Sequence, residues 1–192
     1  SGFQNIAINI PIERDMGAIK RLRGTPLPIT SYFIGKAISV FASMVVQVLI
    51  LLAIGVAFFG LNMPTEPSKW ITFTWLLILG TASSTALGVA FSSVPKNGRG
   101  ASAIVSPVVI ILQFFSGVFF VFTQLPGWMQ QVAAIFPLKW LTQGMRSVFL
   151  PDTFAAQEVA KSWEGGRTAI ILFVWLVVGL FFAVKTFRWE NK

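Results

Sequence analysis

The 192-residue chain contains no cysteine and no histidine, and only seven of its residues are acidic. Without thiols or imidazoles there are no disulfides, no thiol nucleophile, no ordinary zinc or haem ligation and no serine mechanism with a histidine base. Charge of either sign is scarce: 11% of residues are charged, against about 25% in a typical soluble domain. So few charges cannot cover a water-facing surface, which excludes a soluble globular enzyme. The 19 Phe and 7 Trp exclude a disordered chain, because such residues belong to sequences that bury apolar area.

What is present in their place is length of apolar sequence. Ala37 to Phe59 is 23 residues without a charge. As a helix it spans about 35 Å, against a hydrocarbon core of roughly 30 Å. Trp70 to Val94, Ala101 to Phe122 and Thr168 to Val184 are further uncharged runs of 25, 22 and 17 residues. Placed with their flanks, the four predict membrane helices over 33–60, 70–94, 101–123 and 168–185. The fold class that follows is all-α, a polytopic helical bundle in a membrane, forming a single domain over 1–192.

The third run does not end cleanly, since no charge appears from Ala101 until Lys139. Pro126-Gly127 interrupts it, and the remainder up to Leu138 is too short to span. Residues 126–138 are therefore expected as a re-entrant or interfacial segment lying against protein or a wet cavity, with an amphipathic surface helix as the alternative. Residues 1–12 look like the end of a preceding membrane helix, so the chain is expected to be N-terminally incomplete.

The net charge of +8 is not a nucleic-acid stripe, because the basic residues gather at the ends of the apolar runs, where they face anionic lipid head groups. Arg14, Lys20, Arg21, Arg23, Lys36, Lys96, Arg99, Lys185, Arg188 and Lys192 fall on one side of the implied topology, and Lys69, Lys139, Arg146, Lys161 and Arg167 on the other. The richer side is the cytoplasmic one, and the C-terminus with it.

Residues 12–24 read IERDMGAIKRLRG. Ile12, Met16, Ile19 and Leu22 recur at helical spacing. Glu13 and Asp15 fall in the first turn and Lys20, Arg21 and Arg23 in the last, the order that complements a helix dipole. Gly24 is placed to end the helix, and Thr25-Pro26 to cap and open the next. The pattern predicts one short amphipathic helix over 13–24 at the membrane surface, between two spans. It serves equally a lipid-surface helix and a docking helix.

These residues carry a family resemblance. Glu13-Arg14-Asp15-x-Gly17-x-x-Lys20-Arg21-Leu22-x-x-Thr25-Pro26, followed by Gly35-Lys36, resembles the permease subunits of type-2 ATP-binding-cassette exporters of the drug- or lipid-export kind. A second stretch, FFSGVFFVFTQLPGW from Phe114 to Trp128 and then FPLKWLTQGMR from Phe136 to Arg146, is similar to a second region of that family. Val121 and Lys139 depart from the pattern, the first where a proline often stands and the second where the family is usually uncharged.

The resemblance implies a six-helix subunit with both termini cytoplasmic and an outer re-entrant helical hairpin. It also implies a cytoplasmic coupling helix, here Glu13, Arg14, Asp15, Gly17, Lys20 and Arg21, docked on a separate ATPase. Two copies of that ATPase, a second permease copy (identical or not) and membrane lipids are the implied partners, in a bacterial plasma membrane. The ATPase partner would bind ATP and Mg. No cofactor and no metal are expected in this chain, and no nucleic acid. The only Gly-Lys, Gly35-Lys36, is followed by Ala37 where a phosphate-binding loop needs Ser or Thr, and Thr30 stands where its first glycine belongs.

Within the runs, Gln47 and Gln113 are candidates for interhelical hydrogen bonds or for a substrate path. Gly80, Ser84 and Gly88 repeat every four residues, a pattern for close helix packing, while Thr81 and Thr85 serve packing or a polar lining. No ionisable residue lies centrally in any run, which argues against a proton relay and fits an apolar or amphipathic substrate such as a drug, an antibiotic or a lipid-like molecule. The reading is an exporter permease with no catalytic residue of its own. The alternative is a structural or regulatory membrane protein of a larger complex.

Overall fold

The computed structural model describes residues 2–24 and 29–186. All regular structure among them is helical. The order is α1 (Gly2–Asp15), α2 (Ala18–Arg23), α3 (Ile29–Phe59), α4 (Pro67–Phe91), α5 (Gly98–Phe115), α6 (Gly127–Ile135), α7 (Pro137–Phe149) and α8 (Gly165–Thr186), with 3-10 turns at Phe122–Gln124 and Asp152–Gln157. Among the described residues four helices are long and apolar enough to cross a membrane: Ser31–Phe59 of α3, then α4, α5 and α8. They overlap the four expected runs, with ends displaced by one to three residues except that α5 ends eight residues before the expected 123. The Thr25-Pro26 cap, Arg188 and Lys192 lie outside the described residues, as do the side chains of Ile19, Leu22 and Arg23.

Three expectations are corrected. The helix expected over 13–24 is two helices, because Gly17 takes a φ of +70°. That left-handed residue follows α1 as a C-terminal cap: the Met16 N–H donates to Ile12 O and the Gly17 N–H to Arg14 O, at 3.0 and 3.1 Å. A hydrophobic pattern registers glycine as a neutral interior position, so the break is invisible to periodicity. Residues 2–12 and 13–15 accordingly form one helix, α1, which crosses the boundary placed at residue 12. Second, α5 stops at Phe115, and Gly117 (φ +76°) turns the chain, so 116–123 leave the span. Third, 126–138 is not one segment. Phe136 is extended, Pro137 opens α7, and α7 runs on to Phe149.

The chain forms two compact units, one within Ser1–Gln47, Thr81–Val108 and Trp175–Lys192, the other within Val48–Gly80 and Val109–Val174. Helices α3, α4, α5 and α8 contribute a segment to each. The core of the first unit joins Ile6 and Ile10 of α1 to Val40 of α3, Val89 of α4 and Ala183 of α8. Small residues bring these helices together. A Cβ on Gly88 would meet the Phe3 carbonyl oxygen at 2.9 Å, and one on Gly179 the Leu87 backbone nitrogen at 2.9 Å.

The second unit buries Phe73 and Leu76 of α4 with Val148 of α7 and Leu172 of α8. Here a Cβ on Gly80 would meet Leu141 Cδ2 at 2.4 Å, and one on Gly144 would meet Leu76 Cδ2 at 2.6 Å. Glycines on both partners let α4 and α7 approach closely. By contrast, the most apolar window of α3 buries none of its residues within the chain.

Candidate functional site

The first candidate region is the elbow between α1 and α2. Its acidic residues are held by partners in the same unit. Glu13 pairs with Lys36 of α3 and accepts a hydrogen bond from Tyr32 Oη at 2.8 Å. Asp15 accepts from the Gly98 backbone N–H at 2.6 Å, so its carboxylate sits on the first turn of α5. A Cβ on Gly98 would lie 2.7 Å from Ile12 Cα, which is why the two backbones can come so close. Arg14 is buried. Lys20 and Arg21 are exposed, and Arg21 Nη2 reaches back to Met16 O at 3.5 Å.

This corrects the dipole argument. Glu13 and Asp15 stand at the C-terminal end of α1, the wrong end for a carboxylate to stabilise its own helix. Lys36 and Tyr32 compensate Glu13, and the N-terminus of α5 compensates Asp15. The elbow thus ties its acids to α3 and α5, although Asp15 itself stays exposed, and leaves its bases Lys20 and Arg21 exposed.

The second region is the polar face of α7. Lys139, Gln143 and Arg146 recur at i, i+4 and i+7, so they share one side of the helix. Lys139 is 4% exposed. Its Nζ donates to Gln143 Oε1 at 2.6 Å and lies 3.6 Å from the Trp140 ring centroid and 5.3 Å from that of Phe122. Burial lowers its pKa from the ordinary lysine value, and Glu164 and Glu158 only partly oppose that shift. Gln143 Nε2 in turn donates to Ser162 O at 3.3 Å. Arg146 Nε pairs with Glu158 at 2.8 Å, and Arg146 Nη1 reaches Gly117 O at 3.5 Å.

One helix face therefore holds both the 116–122 turn and the 158–162 loop. Trp140 Nε1 donates to Ala134 O at 2.8 Å and fixes the α6–α7 corner. In the sequence Lys139 stands out only as the charge that ends an uncharged stretch and as a departure from a pattern. Its i+4 spacing to Gln143 and i+7 spacing to Arg146 was the signal that could have exposed the polar face. Nothing in the sequence linked Glu13 to Lys36 or Arg146 to Glu158.

The polar residues within the spans separate. Gln47 is exposed on α3, and Gln113 is half-buried on α5. Thr81 and Ser84 are half-buried. Thr85 is buried, and its Oγ1 has no hydrogen-bond partner among the described residues. No group of three or more carboxylates that could hold a metal occurs among the described residues.

Comparison with known proteins decides the family. The sequence profile described as "ABC-2 family transporter protein" matches residues 1–185. The chain belongs to the ABC-2 transporter family. Over 150 residues it is 25% identical to a "Probable multidrug ABC transporter permease YbhR" of Escherichia coli (strain K12), covering 76% of this chain and 39% of that protein. Over 181 residues it is 25% identical to a "Putative transport permease ycf38" of Porphyra purpurea, covering 91% of this chain and 62% of that one. The chain thus spans less than two thirds of either relative. No solved structure matches it. As a member of the ABC-2 family with four helices able to cross a bilayer, it is a multi-pass membrane protein.

Proposed function

We propose that the chain is the membrane-spanning permease part of an ATP-driven exporter. It would move an apolar or amphipathic substrate, a drug, antibiotic or lipid-like molecule, out of a bacterial cell. The observation that carries this reading is the ABC-2 family match along residues 1–185. The word "multidrug" in the name of the Escherichia coli relative is consistent with such a substrate, as is the lack of charge deep in the apolar runs.

In this reading the α1–α2 elbow is the coupling element. Glu13, Arg14, Asp15 and Gly17 fix its shape against α3 and α5, and Lys20 and Arg21 are offered to a separate ATPase subunit. Because Glu13 is tied to Lys36 and Asp15 to Gly98, a push on the elbow reaches two membrane helices directly rather than through a flexible loop. Two ATPase copies would bind and hydrolyse Mg-ATP, and a second permease copy would complete the membrane part. Gln47, exposed on α3, would meet that copy or the substrate. The elbow, residues 95–100 and the C-terminus face the cytoplasm, and the protein resides in the plasma membrane.

The test is co-purification and reconstitution. An ABC ATPase from the same source should bind the intact permease in detergent, and its ATP turnover should rise on association. Inverted vesicles holding both should accumulate a fluorescent amphipathic dye only with ATP. An absence of both binding and stimulation would favour a structural or regulatory membrane protein instead.

A further inference from the structure

A buried polar arrangement in the second unit is built around a charge that its surroundings solvate poorly. An ammonium group has three donors. Among the described residues Lys139 Nζ donates to one acceptor, Gln143 Oε1, and lies against the faces of Trp140 and Phe122. The side chain holding this charge is 4% exposed. Ring faces attract a cation, but they do not replace a full hydration shell.

The covering piece is the 116–122 turn. It carries Phe122 across the ammonium and starts at Gly117, whose φ of +76° is a conformation in which glycine pivots readily. Its far end is tied to α6, where Gln130 Nε2 donates to Leu125 O at 2.8 Å. Beside the turn lies an open cavity of about 320 Å³, lined among others by Phe119, Phe120, Arg146, Glu158 and Trp163. The turn therefore has a pivot, an anchored end and free space alongside it.

We propose that Lys139 is a positioning residue for opening of this unit: its buried charge sets the closed 116–122 turn only marginally below an open arrangement in which the ammonium reaches water. The 158–162 loop stays in place meanwhile, held by Gln143 and by the Arg146–Glu158 pair. The inference goes beyond the exporter reading, because it concerns two states of this chain and does not depend on what is moved.

The sign follows from linkage. Burial lowers the Lys139 pKa in the closed state, against the pull of Glu164 and Glu158 and with the help of Arg146 and Arg167. In the open state the same group regains water and its ordinary value. Protonation consequently favours opening, and the open population falls as the pH rises through the depressed closed-state pKa towards the ordinary lysine value. Above both values the two states are equally uncharged at this site and the dependence ends.

The chain has no cysteine, so spin labels on Val121→Cys, exposed within the turn, and Ser162→Cys report the distance from the turn to the loop without background. Measured by pulsed electron resonance on the intact membrane protein in lipid nanodiscs, without ATP or ATPase, the parent should show a close and a distant population. Lys139→Met should lose the distant one, since an apolar side chain has no solvation to regain, and Lys139→Gln should reduce it. Lys139→Arg should keep it and remove its pH dependence below the ordinary lysine pKa, because arginine stays charged there. An unchanged distance distribution in Lys139→Met, or a distant population that grows with rising pH in the parent, overturns the proposal. Either result leaves the exporter reading untouched, because no transport is measured.

Discussion

Asp15 and Gly98 are 83 positions apart in sequence, yet the Asp15 carboxylate accepts the Gly98 backbone N–H at 2.6 Å. The last residue of α1 thereby caps the first turn of α5, a contact of the kind that satisfies an otherwise orphaned helix donor. Asp15→Ala should lower stability by about 1 kcal/mol, the usual effect of losing an N-terminal cap. Asp15→Asn, which retains an acceptor, should lose much less. Thermal unfolding in detergent, followed by loss of monodispersity, checks both. If the two variants melt alike, the contact is not acting as a cap.

Gly17 tests the elbow through its backbone alone. Nothing lies within 4 Å of a Cβ built there, so Gly17→Ala meets no steric obstacle and differs from glycine only in the strain of φ +70°. That strain is about 1–2 kcal/mol. Asn, which tolerates the left-handed region, should be milder. In vesicles containing the ATPase, we expect Gly17→Ala to reduce the number of substrate molecules exported per ATP and Gly17→Asn to reduce it less. Equal coupling in both variants and the parent would remove the elbow from the transport cycle.

Two glycines of α4 should respond differently to the same added methyl group. At Gly88 the obstacle is the Phe3 carbonyl, part of the α1 backbone, whereas at Gly80 it is the far end of the Leu141 side chain. A helix must move in the first case and a rotamer in the second. Gly88→Ala is therefore expected to cost about 1–3 kcal/mol, the range for overpacking, and Gly80→Ala less. Parallel melting curves of the two variants decide it.

The Arg146–Glu158 pair offers a double-mutant cycle. Glu158 is 9% exposed, so Glu158→Ala strands a largely desolvated guanidinium beside Gly117. Each single replacement by alanine should destabilise by about 1–3 kcal/mol. The double replacement should cost less than the sum of the two, and additivity would show that the pair is uncoupled.

Orientation is open to labelling. With single cysteines at Ser68, Ser102 and Ser162, all exposed in the structure, an impermeant thiol reagent on intact cells should modify positions 68 and 162 and spare 102. The reverse pattern would place the α1–α2 elbow outside and separate it from any cytoplasmic ATPase.

What the sequence determined by itself is the membrane character and the number and place of the long helices. Those follow from local composition: a run such as Ala37 to Phe59 crosses a bilayer whatever its neighbours are. The two motif stretches likewise sufficed to suggest the family. Only the tertiary structure decided where those helices end and what the charges do. To a hydropathy pattern Gly17 and Gly117 look like any other glycine, and only the folded backbone shows that both turn left-handed after a helix. Glu13 with Lys36, Asp15 with Gly98 and Arg146 with Glu158 are pairs made across sequence separations of 23, 83 and 12 residues. Lys139 read as an ordinary charge at the end of an apolar run until the fold laid Phe122 over it. Burial is a property of the packed chain, and it alone distinguishes a charge facing lipid head groups from one held away from water.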